Sequence, residues 1–308
     1  MAEVTAAMVK SLRETSGAGM MDCKKALAAS DGDMDKAVEY LREKGLAAAG
    51  KKADRIAAEG VVATLVQNDK KAVIVEINSE TDFVARNEIF KEYVSQVAKQ
   101  LLNSQVSNAE EFLKEKWALD TSKTVEEELS TKISVIGEKL TIRRFERLES
   151  DGIIVDYLHG GGRIGVLVEA KASTVNDEIK EALRNIAMQI AALSPQYLKR
   201  DEVSQTYLDS ETEILTAQAK NESPDKPDKV IQAMISGRLK KQLKEICLLD
   251  QDYVKDGDLT VAAYLAQVAK SANSSLELVR FVRFETGEGL EKKTEDFAEE
   301  VKRQISGK

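Results

Sequence analysis

One pattern constrains this chain more than any other: a unit of two strands and a helix occurs twice. In the first copy, strand-like runs at 61–66 and 71–77 flank Asn68, Asp69 and Lys70, a hairpin signal, and a helical pattern covers 90–102. In the second, 153–157 and 163–170 flank His159, Gly160, Gly161 and Gly162, and a helical pattern covers 179–193. Each copy closes with a third strand-like run, 140–146 and 278–285, and the endings Arg144-Phe145-Glu146 and Arg283-Phe284-Glu285 match. The duplication predicts an α+β protein with two related halves, each a three-stranded antiparallel sheet with helices on one face.

Matching Glu76 to Glu169 and Lys91-Glu92 to Lys180-Glu181 exposes a difference. The connection after the second strand takes 15 steps in the first copy and 11 in the second, four residues longer. The excess falls in Ser79-Glu80-Thr81-Asp82-Phe83-Val84 and sets a Phe beside an Asp on a surface connection, where binding function concentrates. The bland alternative is a helix cap with its ring tucked against the sheet. Residue chemistry alone leaves both open.

The halves differ again before the third strand. Glu92 to Phe145 spans 53 residues and Glu181 to Phe284 spans 103, so half of the second interval is inserted. Helical stretches at 201–220 and 228–246, parted by Ser223-Pro224-Asp225-Lys226-Pro227, predict a projecting antiparallel hairpin or coiled coil within 201–246. Self-association through it is an open question.

Residues 1–54 read as a three-helix unit. Thr5 caps a first helix with Met8, Val9 and Leu12 on its apolar stripe, and Gly17-Ala18-Gly19 breaks it. Cys23, Ala26 and Leu27 mark the second helix; Asp33 caps a third bearing Ala37, Val38 and Leu41. Consecutive Met20 and Met21 cannot both face one small core, which points one of them at an interface. Residues 46–58 read as a helical or flexible linker. The resulting plan is 1–54, a first core half at 55–148, a second at 149–286 carrying the insertion, and a C-terminal module at 287–308 with Phe297, Val301 and Ile305 at helical spacing.

Composition narrows the function classes. With 308 residues, 43% hydrophobic and 32% charged, the chain holds two or three soluble domains. A net charge of −8 disfavours non-specific binding to a phosphate backbone, so no direct nucleic-acid contact is expected. Two cysteines, Cys23 and Cys247, fit a reducing cytoplasm, and a single histidine makes a zinc site improbable. The start of the chain lacks signal-peptide character and no apolar run reaches membrane-spanning length.

Three apparent motifs fail on context. Gly160 to Gly165 spells a dinucleotide fingerprint, but a strand follows where the pyrophosphate needs a helix. Gly45 to Lys52 is one residue short of a phosphate loop and lacks its hydroxyl. Asp31, Asp33 and Asp35 imitate a calcium loop, with Lys36 and Arg42 in place of its glycine and glutamate. His159 has no nucleophile beside it and reads as a turn residue or a binding contact. No catalytic set, cofactor or metal site is expected, and the chain reads as a protein that works by binding.

The run Thr15 to Leu27, the segment Thr81-Asp82-Phe83-Val84, Ile136-Gly137-Glu138 with Ile142-Arg143-Arg144, His159-Gly160 with Arg163 to Val168, and Arg283 to Gly289 together resemble the bacterial translation elongation factor Ts family. The resemblance covers essentially the whole chain in order. It implies an N-terminal domain like the ubiquitin-associated fold, two related core subdomains, a coiled-coil insertion and a C-terminal module. It also implies a guanine nucleotide exchange factor for the GTPase elongation factor Tu, with Leu12, Met20, Met21, Ile136, Gly137, His159, Phe297 and Val301 on the contact surface. Asp82 and Phe83 match the pair that disturbs the partner's Mg²⁺ site, with Thr81 and Val84 holding them. A translation-associated scaffold or RNA-binding protein is the alternative.

Overall fold

A computed structural model of the chain describes residues 4–291. Three helices open it, α1 (Ala6–Ser16), α2 (Met20–Ala29) and α3 (Met34–Lys52). Each boundary has a local cause. The Thr5 hydroxyl accepts from the Met8 amide at 3.3 Å, Gly17 ends α1 in the left-handed region (φ 67°), and the Asp33 carboxylate caps α3 by accepting from the Asp35 and Lys36 amides. The apparent calcium loop is therefore a capped turn. The apparent phosphate loop, together with residues 46–52 of the expected linker, is the last part of α3. Val9, Leu12, Cys23, Ala26, Leu27 and Ala37 form the small core.

The first half follows as β1 (Glu59–Gln67), β2 (Lys71–Ser79), α4 (Asp82–Ala85), α5 (Glu88–Asn103), α6 (Ala109–Lys114), β3 (Lys116–Trp117), β4 (Asp120–Thr124), α7 (Val125–Ile136) and β5 (Thr141–Glu149). The second is β6 (Ile153–His159), β7 (Ile164–Ala172), α8 (Asp177–Leu193), α9 (Gln205–Glu222), α10 (Asp228–Ile246), β8 (Asp252–Tyr253), β9 (Asp256–Thr260), α11 (Val261–Ser271) and β10 (Leu276–Glu285). The sheets run β1-β2-β5 and β10-β7-β6, antiparallel throughout, so the hairpin's second strand is central in both.

Both sheets are buried on two faces, which explains why β2 and β7 read as continuous apolar runs. One face of the first sheet packs on α5 through Val73, Val75, Val94 and Val97; one face of the second packs on α8 through Val166, Val168, Ile186 and Ile190. The remaining faces meet each other through Val62, Ile74, Leu148, Ile154, Leu167 and Phe284. Helices thus lie outside and sheets inside. Gly165 sits at this seam because a Cβ there would lie 2.5 Å from Val62 Cγ1. The dinucleotide-like glycines form the β6–β7 turn, Gly160, Gly161 and Gly162 all having positive φ, and β7 follows them.

The repeat alignment holds in register. Glu76 pairs with Arg144 and Glu169 with Arg280, and each pair is followed by a bulge that leaves Arg143 or Val279 unmatched. The structure also contains a repeated piece absent from the sequence expectation: β3-β4-α7 and β8-β9-α11. In the first, Gln100 Nε2 donates to the Lys116 carbonyl and its Oε1 accepts from the Ala118 amide, both at 2.9 Å. In the second, Gln189 does the same with the Asp252 carbonyl (2.9 Å) and the Val254 amide (2.8 Å). The interval enlarged in the second half holds the hairpin α9–α10, which has its own core of Leu215, Ala219, Ile231 and Ile235.

After β10 the chain hooks back onto the first half. The Gly287 amide donates to Glu76 Oε1 at 2.8 Å, while Arg143 (2.9 Å) and Arg144 (2.6 Å) bind the same buried carboxylate. Gly287 needs its positive φ of 71°, and a Cβ there would collide with the Ala58 carbonyl. Burial alone would push the pKa of Glu76 up. The Gly287 and Asn78 donors and the two guanidinium groups outweigh it and hold the carboxyl below the usual glutamate value.

Candidate functional site

The four-residue excess becomes α4, one helical turn between β2 and α5. Thr81 is extended (φ −130°, ψ 157°) and its hydroxyl accepts from the Val84 amide at 3.4 Å. Val84 enters the first core, with Ala85 packed beside it. Successive helical residues point about 100° apart, so anchoring Val84 turns Phe83 outward. Phe83 is 80% exposed, the highest value among the large apolar residues described. The tucked-ring alternative is excluded, and the cap is Thr81 rather than Asp82. The Asp82 carboxylate accepts from Arg86 at 2.9 Å.

Two other segments converge on this turn. Gly137, left-handed at φ 89°, ends α7 and swings Glu138 and Lys139 toward β2. Glu138 accepts from the amides of Glu80 (3.1 Å) and Thr81 (3.0 Å) and from the Thr81 hydroxyl (2.7 Å). On the other side, Asp82 and Arg86 share a cleft of about 350 Å³ with Gly160, Gly161 and Arg163 of the β6–β7 turn. His159 is exposed at the start of that turn, its Nδ1 3.1 Å from the Tyr157 hydroxyl. Segments far apart in sequence therefore meet at the α4 turn: the end of α7 through Glu138, and the β6–β7 turn that follows His159 through the cleft it shares with Asp82 and Arg86. Sequence reasoning missed Glu138 as a member of this group, although it adjoins Ile136-Gly137.

The N-terminal residues form a separate surface. Met20 and Met21, 59% and 61% exposed in the first turn of α2, both leave the core, where one was expected to stay. Leu12 departs from the expected contact surface: it is fully buried against α2, because it supplies part of a core too small to spare it. It packs beneath α2, the helix that carries Met20 and Met21. This unit meets the first half where α3 packs on α7, with Arg42 donating to the Ser122 hydroxyl at 2.7 Å. Phe297 and Val301 lie outside the described residues.

Residues 80–288 match the family model described as Elongation factor TS. The chain is similar along its length to proteins named Elongation factor Ts. It is 53% identical over 307 residues to that of Clostridium novyi (strain NT), covering 99% of this chain and 100% of the relative. It is 53% identical over 300 residues to that of Clostridium perfringens (strain 13 / Type A), covering 97% and 98%. It is 50% identical over 305 residues to that of Clostridium botulinum (strain ATCC 19397 / Type A), covering 98% and 99%.

The chain belongs to the elongation factor Ts family. As an elongation factor Ts it is a nucleotide exchange factor for elongation factor Tu in translation elongation, acting by binding and not by catalysing a covalent step. Its place is the cytoplasm. No helix among the described residues is long and apolar enough to cross a membrane.

Proposed function

We propose that this chain opens the nucleotide site of elongation factor Tu with the α4 turn, Phe83 serving as the wedge and Asp82 as the polar group beside it. The observation that carries the reading is the placement of Phe83. The residue is 80% exposed on a turn whose next residue is anchored in the core, so the ring reaches a partner on a stiff mount. Bound GDP and Mg²⁺ are held by phosphate-cradling groups and a metal that demands near-ideal octahedral geometry. A ring driven between elements of the partner shifts those groups slightly, and a carboxylate brought near them competes for the donors that serve the metal.

Thr81 and Val84 hold the wedge, while Ile136, Gly137 and His159 flank it as further contacts. Met20 and Met21 form a second grip, and Phe297 and Val301 belong to the contact surface by family resemblance. Linkage fixes the thermodynamics: factor and nucleotide weaken each other's binding by the same factor. The factor does not select GTP, because it opens the site and the nucleotide in excess refills it.

Phe83→Ala tests the reading. Release of mant-GDP from the partner GTPase, stimulated by saturating factor, is expected to slow roughly tenfold or more, in the range of an interface anchor. Thermal stability is expected to stay within about 0.5 kcal/mol, since the ring is exposed. Unchanged release by a folded variant would remove the wedge from the mechanism.

A further inference from the structure

The backbone crossing that braces the α4 turn occurs in both halves, with different chemistry. In the second half, hydroxyls do the work. The Thr174 amide donates to the Ser274 hydroxyl at 3.0 Å, the Ser173 amide to the Ser275 hydroxyl at 3.0 Å, and the Ser275 amide to the Ser173 hydroxyl at 2.9 Å. In the first half, the same positions carry carboxylates. Glu138 takes the place of Ser274, and Glu80, accepting from the Lys139 amide at 2.6 Å, takes the place of Ser173. The preceding residue is left-handed in both, Gly137 at φ 89° and Asn273 at φ 47°. The charged version of the brace stands where the exposed Asp82-Phe83 turn has been inserted.

We infer that Glu138 is a positioning residue for nucleotide exchange: its carboxylate fixes the angle at which the α4 turn presents Phe83 to the partner. The inference rests on the wedge reading above. Glu138 reaches three donors of two consecutive residues, and charge-assisted bonds of this kind are stronger than those to a hydroxyl. The Thr81 hydroxyl has one proton. Donating it to Glu138 leaves its lone pairs for the Val84 amide, so the same carboxylate orients the cap of the turn.

The brace extends further. Lys139 Nζ donates to the carbonyls of Ala53 (2.6 Å) and Arg55 (2.8 Å), just beyond α3, and Arg55 returns to Glu80 at 3.2 Å. One knot therefore ties the turn to the end of α3, the helix through which the N-terminal unit meets the first half.

The test uses full-length protein and the partner GTPase loaded with mant-GDP, titrated with wild type, Glu138→Ala, Glu138→Gln and Phe83→Ala. Glu138→Ala is expected to lower the saturating release rate roughly tenfold while the concentration giving half the maximal rate moves less than about twofold. Hydrogen exchange at the Glu80 and Thr81 amides is expected to quicken. Glu138→Gln keeps the shape and one carbonyl acceptor, and is expected to recover part of the loss; it is also the variant to read if Glu138→Ala melts early. A Phe83→Ala protein with normal release would overturn the wedge reading itself. Slow release by Phe83→Ala with a normal saturating rate for both Glu138 variants would overturn only the positioning role. So would a change confined to the half-maximal concentration, which would make Glu138 a simple contact.

Discussion

The two halves of the core share a backbone plan in detail and part company at two places. Both have a buried glutamate on the central strand, a bulge opposite it, a glutamine clamping a short hairpin, and a left-handed residue before the last strand. The first half alone carries α4 and its carboxylate brace; the second alone carries α9–α10. Shared features are the ones that hold sheets and helices in place. Unshared ones project from that frame. A duplicated fold thus supplies rigidity twice, and the proposed wedge sits where one copy departs from the other.

The most direct way to break this comparison is to erase the departure. Removing Asp82 to Ala85 joins Thr81 to Arg86-Asn87, leaving a connection as long as Ser173 to Asn176, and Asn87 still caps α5 as Asn176 caps α8. Stimulated GDP release is expected to fall to the unassisted rate. The fold should survive with a loss of about 2 kcal/mol, the cost of unburying Val84. Retained stimulation would show that the halves are less divided in function than in structure; calorimetry gives the stability arm.

The second comparison sets Glu76 against Glu169. Glu76 has no exposed side-chain surface and serves Arg143, Arg144 and the Gly287 amide, whereas Glu169 meets Arg280, whose side chain is 46% exposed. Glu76→Gln is expected to cost about 3 kcal/mol and Glu169→Gln about 1 kcal/mol, because water screens the second pair. The acid limb should follow. Both carboxyls are held below their ordinary value of 4.5, burial opposing and their hydrogen bonds and guanidinium partners prevailing. A depressed folded value means that the stabilisation is present above the unfolded value and is lost as pH falls through the folded one. Stability of the wild type should therefore drop below about pH 4.5, and Glu76→Gln should flatten that drop more than Glu169→Gln. Denaturant melts between pH 3 and 6 check both points.

Much of this frame was legible in the sequence, for physical reasons. Strands buried on two faces announce themselves as apolar runs, and Asn68-Asp69 and Gly160 to Gly162 mark turns that need positive φ. The four-residue excess was countable, since helix and strand patterns on either side pin the alignment. The outward aim of Phe83 was not, because it depends on Val84 finding the core and Thr81 finding Glu138, contacts 57 residues apart. The short hairpins escaped notice because β3 and β8 are two-residue strands with no periodicity to read. Their signal was Thr124-Val125 against Thr260-Val261, each Thr capping a helix and each Val amide bonded to an equivalent carbonyl, Glu115 or Gln251, at 2.9 Å. One of the two methionines was misjudged, since a core fed by Leu12, Cys23 and Leu27 leaves room for neither.

The glutamine clamps offer the finest comparison, because geometry is matched and only burial differs. Gln189 is fully buried, and its amide also donates to Gln251 at 3.1 Å; Gln100, which donates likewise to Glu115 at 3.4 Å, is half-buried beside the open groove that Leu119 lines. Replacing either with Ala removes one donor and one acceptor from a hairpin backbone. At Gln189 the stranded Val254 amide and Asp252 carbonyl lose their protein partner where water enters poorly, and the loss is expected to be about 2 kcal/mol. At Gln100 water can replace the side chain on the Lys116 carbonyl and Ala118 amide, and about 1 kcal/mol or less is expected. Exchange activity should be unchanged in both, since neither residue touches α4 or its brace. Equal destabilisation would mean that hydrogen-bond geometry alone sets the strength of the clamp. A larger loss at Gln100 would mean that the first half leans on its small hairpin more than the second does.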